Sequence, residues 1–444
     1  MLTTSEAAKR LGVSQRRVVG LIHEGALDAE KRSGVWFVDE KSVQTRLRTA
    51  NSKGGRPPVG RGRHDVTFTL MNRTHEVVQL VYNRARKEFV SIGEISDHKR
   101  APLGLVHNGS MSLAGFNSWW RGRGIPQTRD NLSTVLELAH AEVPEELLYR
   151  NLGLSLSDQY WICPVDAPLR WEDINFFTNG FETSSRLTAP QFGDSAQDAH
   201  PDNTSDGNLA KHWIVHGKKR ILQKGGQHNS QEPYNEVVAT SLHKRLLKRR
   251  QYVPYSLGSL NGEVVCECAD FLSDEEEYIP AHYVQRIKSA EPSQSDYAHY
   301  VACCEELGVY DIEHALACMM VCDDVIANHD RHWRNFGIVR NVETLECRPA
   351  PLFDSGSSLW CNVDMKTLKT GDAAFRCKPF DDRPSRQLML VHDFSWANEK
   401  ALDGFVDEAL EILGQNEWIT PRLPYVKKNL EHRVHRMQHI FEWE

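Results

Sequence analysis

No apolar run in this chain of 444 residues approaches the roughly 20 residues that a membrane-spanning helix requires. The first residues, Met1 to Glu6, also lack the basic region and following apolar segment of a secretory signal. Both absences lead us to expect a cytoplasmic protein without a membrane partner. An apolar content of 40% and a charged content of 25% are ordinary for a globular protein with a sizeable core.

The ten cysteines lack the paired Cys-x-x-Cys spacing from which zinc sites are commonly built. We therefore predict no zinc site. In a cytoplasmic chain the thiols stay reduced, and we expect most of them to be small residues of the core.

Basic residues are outnumbered in most of the chain but are concentrated at its start. Residues 1–64 contain 13 Lys and Arg against 6 Asp and Glu, a net charge of +7. Residues 65–444 contain 40 basic and 54 acidic residues, a net charge of −14. A basic head on an acidic body predicts that the head meets a polyanion.

Two short helices are predicted in the head. Thr3 and Glu6 have the spacing of a capping box, and Gly12 separates this helix from a second one that Ser14 can cap. Two helices around a glycine make a helix-turn-helix, whose second helix presents polar side chains to base edges and phosphates. A short hairpin with a basic tip is predicted over residues 26–38. The candidate DNA-contacting residues are Ser14, Gln15, Arg16, Arg17, Lys31 and Arg32.

The head resembles the winged helix-turn-helix modules of the excisionase and MerR type over about residues 1–48. We assign residues 1–50 to a DNA-binding domain for duplex DNA, with a protein-binding helical cap as the alternative. Residues 51–64 are rich in Gly, Pro and Arg and are interpreted as a flexible basic linker. Its Gly55-Arg56-Pro57 resembles an AT-hook core, so a minor-groove arm is the alternative to a solvated tether.

The most informative pattern is the run from His329 to Asn335, followed by the run from Phe353 to Gly356. It contains Asp330, Asn335 and Asp354 at the spacing that phosphoryl transfer requires. Asp330 could orient an attacking hydroxyl group, while Asn335 and Asp354 could hold Mg²⁺ against the phosphates of ATP. A loop that merely contains Asp and Asn is the alternative for this motif taken alone.

A hairpin is predicted between the two halves of this pattern. Residues 336–339 and 351–353 have the composition of strands, and a polar turn near Asn341 lies between them. Pairing these strands would bring Asn335 and Asp354 together as neighbouring oxygen ligands.

Further candidate nucleotide contacts lie upstream. Residues 213–215 and 220–224 are predicted strands, and Lys224 at the end of the second can pair with Glu236 on the following helix. A solvated lysine and a carboxylate that favours a helix N-terminus are the alternatives.

Residues 204–211 form a glycine-containing turn followed by a lysine, which can cradle phosphates. The strand of residues 263–271 leaves this region. The candidate nucleotide-binding residues are Asp206, Gly207, Asn208, Lys211, Lys224, Glu236 and the adenine-contacting hinge Glu267, Cys268 and Ala269.

Over about residues 65–444 the chain resembles the HipA-like serine/threonine kinases, including the CtkA-type members. The strongest likeness lies in Ala327–Gly337, in Phe353–Gly356 and in Asn235-Glu236. The resemblance implies an α+β, two-lobed protein-kinase-like fold. Residues 65–270 would form an N-terminal subdomain and small lobe, and residues 271–444 a large helical lobe.

The resemblance also implies residue roles and a reaction that uses ATP and Mg²⁺. Asp330 would be the catalytic base, with His332 bracing its loop or serving only as a structural histidine. Asn335 and Asp354 would bind Mg²⁺, and Lys224 would contact the ATP phosphates. Autophosphorylation of Thr204 or Ser205 in the phosphate loop would switch the kinase off.

Two departures from the family pattern bear on function. The segment Asp206–Leu209 has less Gly and Ala than the family's phosphate loop, and this chain carries its own DNA-binding head where many relatives pair with a separate antitoxin. The expected partners are a protein substrate such as a translation component, duplex DNA and an antitoxin. The alternatives are a DNA-binding regulator whose inactive kinase-like body senses nucleotide, and a lipid kinase, against which the acidic body argues.

Overall fold

The computed structural model of the protein describes most of the chain, and its contacts divide into two units, Met1–Arg63 and His64–Glu444. Each unit is considered separately. The predicted linker lies almost entirely outside the described residues, and the predicted boundary near residue 270 stays a prediction. The described residues are 1–11, 14–23, 27–32, 35–43, 64–129, 132–138, 141–167, 169–181, 200–204, 209–370 and 375–442.

The described part of the first unit contains two complete helices, the first residues of a third helix at residues 40–43, and a three-stranded antiparallel sheet of order β1-β3-β2. The expected hairpin is formed by β2 and β3. The first residues of the chain were not predicted as a strand, but their main chain pairs with β3. The elements are β1 (Leu2–Thr3), α1 (Thr4–Leu11), α2 (Gln15–His23), β2 (Ala29–Arg32) and β3 (Val35–Val38).

Both predicted helix caps of this unit are present. The N–H of Glu6 donates to Thr3 Oγ1 at 3.2 Å, and the N–H of Thr3 donates to the Glu6 carboxylate at 2.8 Å. Ser14 Oγ accepts the N–H of Arg17 at 3.3 Å at the start of α2. Each bond satisfies an N–H that the helix itself leaves unpaired. The side chains that form the core of this unit are Leu2, Ala7, Ala8, Val18, Leu21, Leu27, Val38 and Val43.

The second unit begins with an antiparallel sheet of order β6-β5-β4-β9. Side chains alternate along β4, so that Phe68 and Leu70 are fully buried, and the Phe68 ring packs edge-on against the Tyr149 ring. The elements of this region are β4 (Asp65–Asn72), β5 (His75–Asn83), β6 (Glu88–Ile95), β7 (Val106–His107), β8 (Ser110–Met111), α3 (Leu113–Arg121), α4 (Leu132–Leu138), α5 (Pro144–Arg150), β9 (Tyr160–Pro164) and α6 (Trp171–Ile174).

A second antiparallel sheet of order β10-β11-β13-β12 follows, with helix α7 packed against β12 and β13. The two strands predicted to carry Lys224 are present, and they turn at Gly217, whose φ is +63°. The elements are β10 (Lys211–His216), β11 (Lys219–Lys224), α7 (Gln231–Leu246), β12 (Tyr255–Leu260) and β13 (Glu263–Ala269), with 3₁₀ turns at Pro201–Thr204, His228–Ser230 and Arg249–Gln251.

The third sheet, β14-β15-β16, contains the hairpin predicted between Asn335 and Asp354, but one strand was predicted in the wrong place. The second strand is Cys347–Pro349, not residues 351–353. Pro351 has no N–H to continue a ladder, and Leu352 instead bridges in parallel to Tyr252. The strands are β14 (Glu276–Pro280), β15 (Gly337–Asn341) and β16 (Cys347–Pro349).

Helices supply the rest of the second unit, and one continuous apolar core extends from Phe68 to Phe441. Eight of the ten cysteines are buried, as expected of core residues. None of the helices in the described part of the chain is long and apolar enough to cross a membrane. The helices are α8 (Ala281–Val284), α9 (Asp296–Glu306), α10 (Ile312–Val325), α11 (Met365–Leu368), α12 (Pro384–Leu388), α13 (Phe405–Leu413) and α14 (Leu423–Glu442), with 3₁₀ turns at Glu399–Leu402 and Thr420–Arg422.

Candidate active site

The loop that carries Asp330 follows α10 and is held by hydrogen bonds among its own residues. The N–H of Asp330 donates to Asn328 Oδ1 at 3.1 Å, and Asn335 Nδ2 donates to the carbonyl of Asp330 at 3.0 Å. Asn335 is buried, whereas the side chain of Asp330 is 38% exposed. The loop therefore has a fixed backbone and presents the Asp330 carboxylate to solvent.

Lys224 joins the two other predicted parts of the site. Its Nζ lies 2.6 Å from Glu236 Oε1 and 2.5 Å from Asp354 Oδ1. The second oxygen of Glu236 accepts the N–H of Ser355 at 3.0 Å. The predicted pairing of Lys224 with Glu236 is thus present, and Glu236 lies in the second turn of α7.

The pKa values of Lys224 and Asp354 are shifted more by the opposite charges beside them than by burial. Burial opposes the charged form of Lys224, but the carboxylates of Asp354 and Glu236 raise its pKa well above the ordinary value. Burial likewise opposes the charge of Asp354, but Lys224 and Lys211 lower its pKa. At neutral pH the Lys224 ammonium group therefore faces an ionised Asp354 carboxylate.

The backbone of Asp354 is in the left-handed region, with φ at +57°. This conformation costs a residue with a side chain roughly 1–3 kcal/mol, and such residues cluster at functional sites. The next glycine, Gly356, is packed against α7, where a Cβ atom would lie 3.1 Å from the carbonyl of Glu232. Close packing on α7 therefore holds the Asp354 turn in place.

Arg331 organises the site and was given no role from sequence. It is fully buried and contacts Asp323 at 2.8 Å through Nε and 3.0 Å through Nη2. Its Nη1 donates to the carbonyls of Asn335 at 2.8 Å and Phe353 at 2.5 Å, and Nη2 donates to Ser355 Oγ at 3.0 Å. One guanidinium group therefore ties together the two ends of the predicted hairpin, because its five donors all find acceptors in a fixed plane.

A cavity of about 580 Å³ connects these groups, a volume within the usual range for small-molecule sites. Polar and charged residues line it, including Lys224, Asp330, Asn335 and Asp354. Apolar and aromatic residues also line it, namely Leu222, Val253, Tyr255, Phe271, Tyr278 and Phe353. The cavity could therefore hold a ligand that has both charged groups and a flat apolar group.

The predicted hinge needs a correction at Glu267. On β13, Glu267 pairs with Gln223 of β11 and with Ser256 of β12, so it lies in the interior of the sheet. Its carboxylate accepts a hydrogen bond from Gln223 Nε2 at 2.8 Å and does not line the cavity. Because side chains alternate along a strand, Cys268 faces the cavity and Glu267 faces away. Ala269 also lines the cavity, together with Asp270 to Leu272, which the sequence did not single out.

The predicted phosphate loop is described only at its ends. Asp206, Gly207, Asn208 and the alternative phosphorylation site Ser205 lie outside the described residues. Lys211 lines the cavity. Thr204 is buried, and its hydroxyl lies 3.0 Å from the carbonyl of Leu154 and 3.2 Å from that of Pro201, either of which can accept its single proton. Thr204 also lines the cavity, so its phosphorylation would require the hydroxyl to leave these carbonyls, and the choice between Thr204 and Ser205 stays a prediction.

Two more side chains define the surroundings of Asp330. His332 Nδ1 accepts the N–H of Arg334 at 3.2 Å, and the His332 Nε2 atom is 3.9 Å from Asp330, which fits the bracing role. Lys378, which sequence reasoning missed, places its Nζ 2.8 Å from Asp330 Oδ1. It lies 48 residues further along the chain, so no local motif could have indicated this contact.

The predicted DNA-contacting residues of the head lie on its surface. Ser14, Gln15, Arg16 and Arg17 are exposed at the start of α2. Lys31 is exposed on β2, with its Nζ 5.5 Å from the centre of the Trp36 ring. The side chain of Arg32 lies outside the described residues.

Comparisons with known proteins address the two units separately. A family model described as a helix-turn-helix domain matches residues 1–50. Among solved structures, the Helicobacter pylori proinflammatory kinase CtkA covers 53% of this chain and 92% of its own, at 16% identity and a TM-score of 0.40.

The Shewanella oneidensis HipA, solved with HipB and its operator DNA, covers 83% of this chain and 97% of its own, at 12% identity and a TM-score of 0.46. These proteins carry the names of the family that the sequence resembles. Similarities this low carry no functional argument, and no curated protein matches the chain.

Proposed function

We propose that residues 64–444 form a HipA-like protein serine/threonine kinase with two lobes, which transfers the γ-phosphoryl group of ATP to a protein hydroxyl. One observation carries this proposal. Lys224, paired with Glu236, contacts Asp354 at the same cavity that Asp330 and Asn335 line. Catalysis of phosphoryl transfer rests on positioning and charge stabilisation, and this arrangement supplies a cation, two oxygen ligands and a carboxylate for the hydroxyl.

The residues present fit ATP with Mg²⁺. Asn335 uses Nδ2 to bind the carbonyl of Asp330, so its ligand atom would be Oδ1. Asp354 pairs with Lys224 through Oδ1, so its ligand atom would be Oδ2. Mg²⁺ prefers one or two protein oxygens and fills its other positions with phosphate and water. When bound, Mg²⁺ would neutralise the charge on the phosphates.

Each of the other side chains at the site has a separate role. Lys224 binds phosphate oxygens, and Glu236 holds the lysine in place. Asp330 accepts the proton of the attacking hydroxyl and orients its oxygen. Apolar residues such as Phe271 and Phe353, whose rings stack 5.5 Å apart, line the region for the base.

Transfer of labelled phosphate from ATP tests this function. The purified protein, incubated with radiolabelled ATP and Mg²⁺, should label itself or a protein in an added cell extract. Omission of Mg²⁺ should remove the label. ATP binding without transfer to any protein would instead favour the nucleotide-sensing regulator.

Lys378→Met is expected to lower the rate of phosphoryl transfer by up to about 100-fold, the cost of misplacing a catalytic group, with little change in the KM for ATP. The reason is that the ammonium group sits 2.8 Å from Asp330 and holds that carboxylate in place. Steady-state kinetics would measure the effect, and Lys366→Met, at an exposed position, is the matched control. An unchanged kcat in the Lys378 variant would contradict this role.

We also propose that the autophosphorylation implied by the family resemblance occurs at Ser205, because the Thr204 hydroxyl is buried and bonded. Phosphorylation at Thr204 would first require the Pro201–Thr204 turn to open. An antitoxin and a translation component as partners stay predictions from the resemblance.

For the head we propose binding to duplex DNA through a winged helix-turn-helix. Exposed Arg16 and Arg17 at the start of α2 and Lys31 on the β2–β3 hairpin support this. Side chains at the start of a second helix are those that reach base edges in such modules. A DNA-binding head would let the kinase regulate its own transcription.

The double variant Arg16→Ala/Arg17→Ala should lose at least tenfold in DNA affinity, since each base-contacting arginine contributes roughly 1–3 kcal/mol. Fluorescence anisotropy of a mixed-sequence duplex pool, titrated with the full chain, would measure the DNA affinity. Affinity should also fall steeply as salt rises. Lys41→Ala, at another exposed basic position, is the control. Absence of binding by the unaltered protein at low salt would contradict the DNA-binding proposal.

A further inference from the structure

A cluster of two histidines and an aspartate lies where the Pro201–Thr204 turn meets β10. His200 immediately precedes the turn, Asp202 lies in the turn, and His212 lies on β10. One ligand atom from each side chain lies within 4.8 Å of the others. We infer that these three residues form a binding site for a late first-row divalent metal ion such as Zn²⁺.

The geometry of the cluster supports this inference. The Asp202 carboxylate lies between the two imidazoles, with Oδ2 2.7 Å from His212 Nδ1 and Oδ1 3.2 Å from His200 Nδ1. The rings are nearly parallel, at an angle of 9° with centroids 5.6 Å apart. Zinc binds nitrogen and oxygen at about 2.0–2.2 Å, so its donors lie roughly 3.3 Å from one another. The donors already approach that separation, and rotation of partly exposed side chains can close the rest.

The surrounding residues hold the main chain of the turn that carries the ligands in place. Asn151 is fully buried, donates to the carbonyl of His200 at 2.8 Å and accepts the N–H of His200 at 3.3 Å. Asp202 Oδ1 accepts the N–H of Trp213 at 2.7 Å, which joins the turn to β10. The Phe181 ring packs edge-on against His200 at 5.4 Å. Such supporting contacts orient metal ligands before the ion binds.

The ligand chemistry separates this cluster from the proposed Mg²⁺ site. Imidazole nitrogens favour Zn²⁺, Ni²⁺ and Co²⁺, whereas Mg²⁺ favours oxygen ligands alone. The three side chains are 31%, 27% and 40% exposed, in the order His200, Asp202 and His212. Water can therefore reach the ion and complete its coordination. The cysteine pattern had led us to predict no zinc site, but this set needs no cysteine.

A bound ion would cross-link two segments of the chain, since His212 lies ten positions after Asp202. His200 and Asp202 precede residues 205–208, and His212 follows them. The ion would therefore join the Pro201–Thr204 turn to β10. Metal binding itself does not depend on the kinase function.

Titration of the tag-free, metal-stripped protein with Co²⁺ tests the site. We expect one equivalent to bind with the visible absorption of a cobalt ion held by nitrogen and oxygen, without a thiolate charge-transfer band. Excess Mg²⁺, added to occupy the proposed ATP-metal site, should not displace it, whereas Zn²⁺ should. Zn²⁺ should also raise the unfolding temperature, because it binds only the folded state.

His200→Ala and His212→Ala should each weaken Co²⁺ binding more than the roughly 10- to 100-fold typical of losing a supporting contact. His216→Ala is the matched control, because this exposed histidine lies on the same strand. Circular dichroism without metal verifies folding, and His200→Ala suffices if the His212 variant does not fold. Equal Co²⁺ binding by the His200 variant and the unaltered protein, or no specific binding at all, would overturn the inference. The paired residues would then act only as an ion-paired clasp.

Discussion

Asp330→Asn is expected to abolish detectable phosphoryl transfer, with a rate at least 10²- to 10⁴-fold lower, the usual contribution of a general base. Asparagine has nearly the same shape, so the main-chain bonds of Asp330 to Asn328 and Asn335 should persist. The variant loses the group that accepts the hydroxyl proton and the partner of Lys378. Single-turnover labelling with radiolabelled ATP measures the loss.

The interpretation requires that the variant still binds ATP. A nucleotide-dependent rise in unfolding temperature, equal in both proteins, would show this. Asp407→Asn makes the same chemical change at a side chain that is 83% exposed and should leave labelling unchanged. Equal labelling by the Asp330 variant would remove Asp330 from the mechanism. ATP binding without labelling by any of these proteins would favour the regulator.

Lys224→Met is expected to destabilise the protein by about 3–5 kcal/mol and to abolish transfer. Lys224 and Glu236 have side chains only 3% and 2% exposed, so removing the lysine leaves a buried carboxylate without its cation. The nearby Asp354 then adds repulsion between like charges. Urea unfolding of the full chain, monitored by tryptophan fluorescence, measures the stability.

The double variant Lys224→Met/Glu236→Gln separates the stability effect from catalysis. Without the buried carboxylate the double variant should be more stable than Lys224→Met alone, yet still inactive because no cation meets the phosphates. Lys218→Met, in the exposed turn between β10 and β11, is the control for the same side-chain change. Strictly additive effects of the two substitutions on the unfolding free energy would contradict the ion-pair explanation.

Neighbouring residues account for most of what the sequence predicted correctly. The capping box of Thr3 and Glu6 depends on residues three positions apart, so its hydrogen bonds follow from local geometry. The pairing of Lys224 with Glu236 follows from a strand, a short connection and a helix. In both cases the chain offers few alternatives.

The sequence-based predictions were wrong or incomplete where a residue's contact partner is distant in sequence or where the prediction depends on strand register. Glu267 was assigned to the hinge because its strand was recognised, but a shift of one residue exchanges the two faces of a strand. Strand β16 ends at Pro349, shortly before Pro351, which has no N–H to continue the ladder, and Leu352 bridges instead to Tyr252, a hundred residues earlier. Composition alone does not indicate that competition.

The sequence by itself determined which residue types could carry phosphoryl transfer and the local elements that present Asp330, Lys224 and Glu236. Only the tertiary structure decided that Arg331 joins both ends of the hairpin and that Lys378 meets Asp330. It alone also placed His212 beside Asp202. Apolar patterning specifies which face of an element is buried, but the packing of all elements together decides which polar groups meet across them.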